Sequence, residues 1–501
     1  MNQRHRFRPA LEVLEARETP ATLVNPTTVA YQDFDGDIVT VKLTLKKPGL
    51  TAATAATIFT FDTQFGSGGP QQLQTINLTS LGVGANGLSI KTSAVRGKLG
   101  GDGIAALGQI DATGIDLRSV VIDGDLGRII AGDATTTTPG LKTLTARSLG
   151  RFGTSTGAPN LNTVIQGKLG VLNVKTDIVG AFIDVQGGND GDIGRIALGG
   201  SLIGGTAGQL GSIRANSDIG NVTIKGSVIG GGQFESGRIA TVVGNIGKVA
   251  IGGDLMGGTG NSSGQIFAKG TLAALKITGN VVGGSVGGDN DLHNSGYVEA
   301  KRIGSLTIRG SLLAGFDFTI GTFGDNGAIR VVDDIGSANI GNIIGNFTNP
   351  VYISARGKAV QTKTDLALGK LNVRGRVEYA QILAGYDPTG GGVNADAQVG
   401  SVSVGGDWVA SSLVAGALAT NADFGDADDA AIVGGNSAIV SKIGKVTIRG
   451  QAIGTVGGTD QFGIVAQVIG VLRVSGTKLP TTSGSDDFFI GTSGDFKANE
   501  I

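Results

Sequence analysis

The sequence predicts an all-β chain: a right-handed parallel β-helix of about a dozen coils, three strands to a coil, closed by a small N-terminal β cap. Three observations predict it. A phrase of the form aliphatic-Gly-x-aliphatic-x-aliphatic-x-Gly recurs down most of the 501 residues, at Ile193–Gly200, Ile219–Gly226, Ile303–Gly310 and Ile443–Gly450 among others. Within it apolar and polar residues alternate, which is the period of a strand and not of a helix. Glycine reaches 89 residues while proline stops at 10, a balance that fits neither collagen nor proline-rich disorder.

The second residue of the phrase falls at Gly170, Gly194, Gly220, Gly247, Ala273, Gly304, Gly336, Gly369, Gly400, Gly444 and Gly470. Most steps are 24 to 33 residues, and the step from Gly400 to Gly444 is 44. A fixed phrase with variable spacing implies a constant core and corner loops of changing length. Around Gly304 the three strands read Tyr297–Ala300, Ser305–Ile308 and Ser311–Leu313, with Gly310 where the chain turns and a Cβ would clash. One coil buries about five aliphatic side chains at roughly 1.5–3 kcal/mol each, and ordering its residues costs at least as much. Only stacking makes such a unit stable.

Four segments follow. Residues 1–21 form a leader, 22–98 a β cap, 99–480 the β-helix and 481–501 a C-terminal cap or tail. The cap is read from alternation in Thr40–Leu45 and Thr75–Leu78 and from Ile58–Phe61. An open solenoid end exposes strand edges, so caps are expected.

Composition narrows the function. The net charge of -1 gives no reason to expect nucleic acid or an anionic membrane as partner. No cysteine is present and the two histidines, His5 and His293, are far apart, so triad-type nucleophiles have almost nothing to be built from. No run of about 18 apolar residues can span a membrane as a helix. The final residues, Ser485 to Ile501, are too few for a membrane barrel.

Three groups of residues are candidates for chemistry. Aligning the phrases places Arg195, Lys248, Lys370 and Lys445 at its third position and Lys225, Arg309, Arg374 and Arg449 at its seventh. Both positions point outward, so a nearly neutral chain presents a basic stripe able to hold an acidic polysaccharide. Charge there also deters sheet-to-sheet aggregation. Asp33, Asp35 and Asp37, in Asp33-Phe34-Asp35-Gly36-Asp37, offer oxygens to calcium from a tight turn, although Thr44 stands where an EF-hand needs Glu. A β-turn into the next strand accounts for the same residues. Asp423, Asp426, Asp428 and Asp429, in the insertion at about 409–441, could act as acid and base on a glycoside or hold a cation; a solvated loop tip is the alternative. Trp408 is the only Trp beside them. The Gly187–Asp192 and Gly287–Asp291 stretches read as corner loops. No cofactor is expected, calcium being the one alternative these patterns leave open.

Several of these residues carry resemblances. The segment Arg6–Ala21 resembles the LExLExRxxPA leader of planctomycete surface and extracellular proteins, and that resemblance implies export or an envelope location. The Asp33–Val41 stretch resembles the D-x-D-G-D-x-V-T-V strand opener of bacterial surface proteins. The repeat as a whole resembles glycine-rich β-helical proteins of planctomycetes and related bacteria. The expectation is a non-enzymatic, exported or cell-surface rod of structural or adhesion type, partnered by polysaccharide or other envelope components. The competing expectation is a carbohydrate-active β-helix, similar to pectate lyases, acting as a polysaccharide lyase or glycoside hydrolase. Such enzymes place carboxylates with calcium, or paired Asp residues, in one groove, and no such set recurs on adjacent phrases here.

Overall fold

A computed structural model describes residues 21–501 apart from 45–48, 63–68, 99, 207–209, 289–290, 320–321, 359–363, 422, 456, 458–459, 483 and 485. The leader-like segment, except Ala21, lies outside the described residues.

Three stacks of parallel strands wind into a solenoid. The long face is built from the phrase itself: Leu169–Val174, Ile193–Leu198, Ile219–Ile224 and Ile246–Ile251 pair in sequence, and the stack continues to Val468–Val474. A short face of two-residue strands follows each, beginning with Ile178–Val179, Leu202–Ile203 and Val228–Ile229. The third face runs from Asn162–Gln166 through Phe182–Gln186 and Ser212–Ala215 to Phe496–Glu500.

The register is like on like. Ile193 pairs with Ile219, Ile219 with Ile246, Ile246 with Leu272 and Leu272 with Ile303. All are buried, so each aliphatic side chain completes its burial against the coils above and below. The repeat phrase thus codes one strand and one interior stack at once.

Glycine serves two separate needs. Gly237, Gly264, Gly296 and Gly327 have φ of 63°, 59°, 63° and 72° at the corner that leads into the third face, where other residues are strained. Gly310 is different: it continues a strand spanning Tyr297–Leu313, and a Cβ there would meet the Gly279 oxygen of the coil beneath. Close approach of neighbouring coils, rather than a sharp turn, fixes that residue.

At the N-terminal end Thr22–Asn25, Thr28–Gln32, Ile38–Leu43 and Leu88–Val95 form an antiparallel meander, and Phe59–Asp62 pairs antiparallel with Gln72–Asn77. This cap is continuous with the solenoid ladder: Gln72–Asn77 pairs in parallel with Leu107–Thr113, and Leu88–Val95 with Leu117–Gly132. A short helix, Ala52–Ile58, begins at a Thr51/Thr54 capping box that hydrophobic periodicity does not reveal. At the other end two antiparallel pairings, Arg473 with Lys478 and Asp487 with Asn499, close the stack.

The expected 409–441 insertion is shorter than its sequence bounds. Trp408–Val409 and Ser412–Ala415 are ordinary coil strands, and the excursion begins after them with Ala417–Leu418 pairing antiparallel to Ala430–Ala431. It folds back as a cover. Phe424 and Ile432 join Leu383, Val414 and Val465, outward residues of the third face, in a second apolar cluster. Trp408 is fully buried inside the solenoid between Val377 and Ala452, its Nε1 donating to the Ser411 oxygen at 2.7 Å. It offers no ring to a sugar.

Candidate functional site

All the basic residues singled out at the third and seventh positions of the phrase lie on the outer surface of the long face, and all are exposed. Parallel register assembles them into two rows. The third-position row passes from Val171 through Arg195, Asn221 and Lys248 to Ala274, Ser305, Ser337, Lys370, Ser401 and Lys445. The seventh-position row reads Lys175, Gly199, Lys225, Gly252, Thr278, Arg309, Gly341, Arg374, Gly405 and Arg449.

The glycines in the second row are steric. A Cβ on Gly199 would collide with the oxygen of Lys175, one on Gly252 with that of Lys225, and one on Gly405 with that of Arg374. Long side chains therefore alternate with bare backbone over much of this row. The fifth-position row lies between the two and is mostly Thr, Ala, Asn and Ser, with Lys276 and Arg473 among them. Lys175 and Lys276 escaped the sequence alignment, though Lys175 is the seventh residue of the phrase that begins at Leu169.

From Lys142 to Arg473 no Asp or Glu occupies an outward position of this face. None of Arg195, Lys225, Lys248, Arg309, Lys370, Arg374, Lys445 and Arg449 forms an ion pair among the described residues. Several charges elsewhere are paired. On the third face Arg214 pairs with Asp184 at 2.9 Å and Arg330 with Asp325 at 2.5 Å, and Arg302, at the edge of the long face, pairs with Asp334 at 2.6 Å.

Many carboxylates are used at the corners, where each holds the main chain of the next coil. Asp177 Oδ1 accepts from Ser201 N at 2.7 Å, Ser227 Oγ from Asp254 N at 3.0 Å, Asp254 Oδ1 from Asn280 N at 2.6 Å and Asn280 Oδ1 from Ser311 N at 2.8 Å. On the opposite corner Asp192 accepts from Asp218 N at 3.2 Å and Asp218 from Asn245 N at 2.7 Å. These ladders leave no periodic phrase of one residue type, so repeat alignment passes over them. The two Asp-containing corner stretches are used likewise: Asp190 Oδ2 accepts from Thr136 Oγ1 at 2.9 Å, and Asp291 Oδ1 from Thr322 N at 2.7 Å.

The acidic candidates divide. Asp426, Asp428 and Asp429 place one carboxylate oxygen each within 4.8 Å of the others; Asp423 is not part of this trio, although the charges of Asp426 and Asp428 reach it. Burial raises the pKa of Asp429, and burial with the charge of Asp460 raises that of Asp423. Thr420, Asn421 and Asn499 donate to the trio, Asn421 to Asp426 at 2.9 Å and Asn499 to Asp429 at 2.9 Å. These bonds tie the trio to the excursion and to the C-terminal strand, while Asp428 Oδ1 and Asp429 Oδ1 are buried without a donor.

At the N-terminal end Asp33, Asp35 and Asp37 also bring their oxygens within 4.8 Å of one another. Burial, then a hydrogen bond shared with Asp35, pushes the Asp33 carboxyl up to about 8. Asp102, distant in sequence, joins them; burial and the Asp35 charge raise its pKa.

A groove on the described surface lies over the corner loops, lined by Phe234, Thr259, Asn261, Ser285 and Asp291. Asp291 is the single carboxylate there among the described residues. No known family, curated protein or solved structure matches this chain.

Proposed function

We propose that this chain is a non-enzymatic structural or adhesion-type rod of the cell surface or extracellular space, and that its long face holds an extended acidic polysaccharide. The observation that carries the reading is the segregation of charge: from Lys142 to Arg473 the outward positions of the long face hold basic residues and no acids, and of the cations in its two rows only Lys175, paired with Asp123, forms an ion pair among the described residues, on a chain of net charge -1.

The spacing supports a polymer rather than a small anion. Coils stack at the strand separation of about 4.8 Å. Arg195, Lys225, Lys248 and Lys276 supply one cation on each of four successive coils, stepping between rows. Further along, Lys370 with Arg374 and Lys445 with Arg449 supply two on every second coil. One charge per coil is comparable to the rise of one sugar in an extended polyuronate. Small residues between the rows leave the chain a flat bed. An envelope location agrees with the leader resemblance of residues 6–21.

The test is retention of the full chain on immobilised alginate or heparin at low salt, followed by a salt gradient. Retention that falls steeply with salt is expected, because each contact releases a counterion. Passage through both columns at low salt overturns the polymer reading. Release of unsaturated or reducing sugar from a polysaccharide panel, with calcium present, would favour the lyase or hydrolase alternative instead.

A further inference from the structure

We propose that Asp33, Asp35 and Asp37 bind one calcium ion, with Asp102 beside them, and that the ion clamps the N-terminal hairpin onto the segment feeding the first coils of the solenoid. This site is separate from the basic face, and its test does not depend on the polymer reading.

The geometry begins with a tight loop between two antiparallel strands, Thr28–Gln32 and Ile38–Leu43. Gly36, at φ of 106°, lets three carboxylates from a five-residue stretch converge. Their mutual separation of no more than 4.8 Å fits oxygens around one calcium ion, since ligands on opposite sides lie about 4.6–5.2 Å apart. All candidate donors are hard oxygens, which selects calcium or magnesium over transition metals.

A second observation points to a missing partner. Asp37 is fully buried, yet its Oδ1 has no hydrogen-bond donor. A buried anionic oxygen without a donor is costly, and a cation is what satisfies it. Its other oxygen, Oδ2, accepts from Gly103 N at 2.6 Å and Ile104 N at 3.0 Å. Gly101 lies against Oδ1, with φ of 111°, and a Cβ there would collide with the carboxylate. The chain is thus shaped around this group.

Asp102 arrives on the same segment. Its N–H donates to Asp35 Oδ2 at 3.0 Å, and its own Oδ1 accepts from Ile104 N at 2.8 Å. None of the four carboxylates forms an ion pair with Lys or Arg among the described residues. With no cationic side chain among them, the three converging carboxylates and the neighbouring Asp102 form an acidic pocket that a divalent cation neutralises. Calcium suits the mix of buried and exposed ligands better than magnesium, which demands near-octahedral order.

The experiment uses the full chain stripped with chelator, then equilibrium dialysis against calcium. Asp35 and Asp102 are exposed, so an Asp35→Asn/Asp102→Asn double variant keeps the Asp37 caps on Gly103 and Ile104 and should fold. An Asp426→Asn/Asp428→Asn variant controls for the other acidic cluster. The expected result is loss of one equivalent of bound calcium, or affinity weakened at least about 100-fold, in the first variant and not in the second. Calcium should also raise the unfolding temperature of the native chain and not that of the first variant. Unchanged uptake in the Asp35/Asp102 variant, or no uptake by the native chain at millimolar calcium, overturns the site.

Discussion

Arg374 donates a hydrogen bond from Nη2 to the main-chain oxygen of Arg309, two coils beneath it, passing over the coil that carries Gly341. The bare glycine between them makes the reach possible. Lys175 makes a reach of the same length at the start of the array, here past Arg147 and not past a glycine, to meet Asp123 at 3.3 Å. Side chains of this row therefore lie along the rod, and where the alternation holds their charges repeat at about two strand separations, roughly 9.6 Å.

Neutralising the seventh-position row should weaken retention without unfolding the rod. In a Lys225→Gln, Arg309→Gln, Arg374→Gln, Arg449→Gln variant, the eluting salt concentration on alginate should drop, with a shallower slope of log affinity against log salt. Stability should move by about 0.5 kcal/mol or less for each exposed site. Elution at the native salt concentration would remove this row from the binding face.

Adding charge where glycine stands should have the opposite balance. Gly252→Lys extends the basic row but sets a Cβ against the Lys225 oxygen. The expected cost is about 1–3 kcal/mol in urea unfolding followed by circular dichroism. A native midpoint would show that the coil can shift.

The corner ladder can be tested at Asp254, whose Oδ1 accepts from Asn280 N. Asp254→Ala leaves that amide without its acceptor and should cost about 1–3 kcal/mol. Asp254→Asn keeps an oxygen in place and should recover most of the loss. Equal midpoints for the two variants would mean that water replaces the carboxylate.

Asp365 supplies a pH signature. Burial raises its pKa above 3.8, against the opposing bonds from Asn394 and Lys358. A folded-state value above the unfolded one means that the native chain binds more protons in the interval between them. Its contribution to stability is therefore fully present below about pH 3.8 and falls as pH rises through the raised value. Thermal midpoints measured across that interval should fall less steeply in Asp365→Asn than in the native chain.

The winding was legible because the phrase Ile219-Gly220-Asn221-Val222-Thr223-Ile224 carries both the strand period and the stacking residue, and register then follows from like pairing with like. The basic rows were legible for the same reason. Trp408 was not: its burial depends on Val377 and Ala452, the smaller neighbours on adjacent coils, which no single repeat contains. Nor was the apolar cover, since Phe424 meets Val414 and Val465 only after the excursion folds back. Asp102 lies far from Asp33 along the chain, and nothing periodic connects them. What repeats locally can be read; what two distant segments create by meeting cannot.

Glycine on alternate coils means that, along much of this row, the smallest unit preserving the pattern of charge is a pair of coils. An array lengthened by duplicating one coil would set two long cations side by side, or two bare glycines, and break the cadence at the seam. Duplications of even number would keep it, so the rod can change length in steps of two while still presenting the same ruler to whatever lies along it.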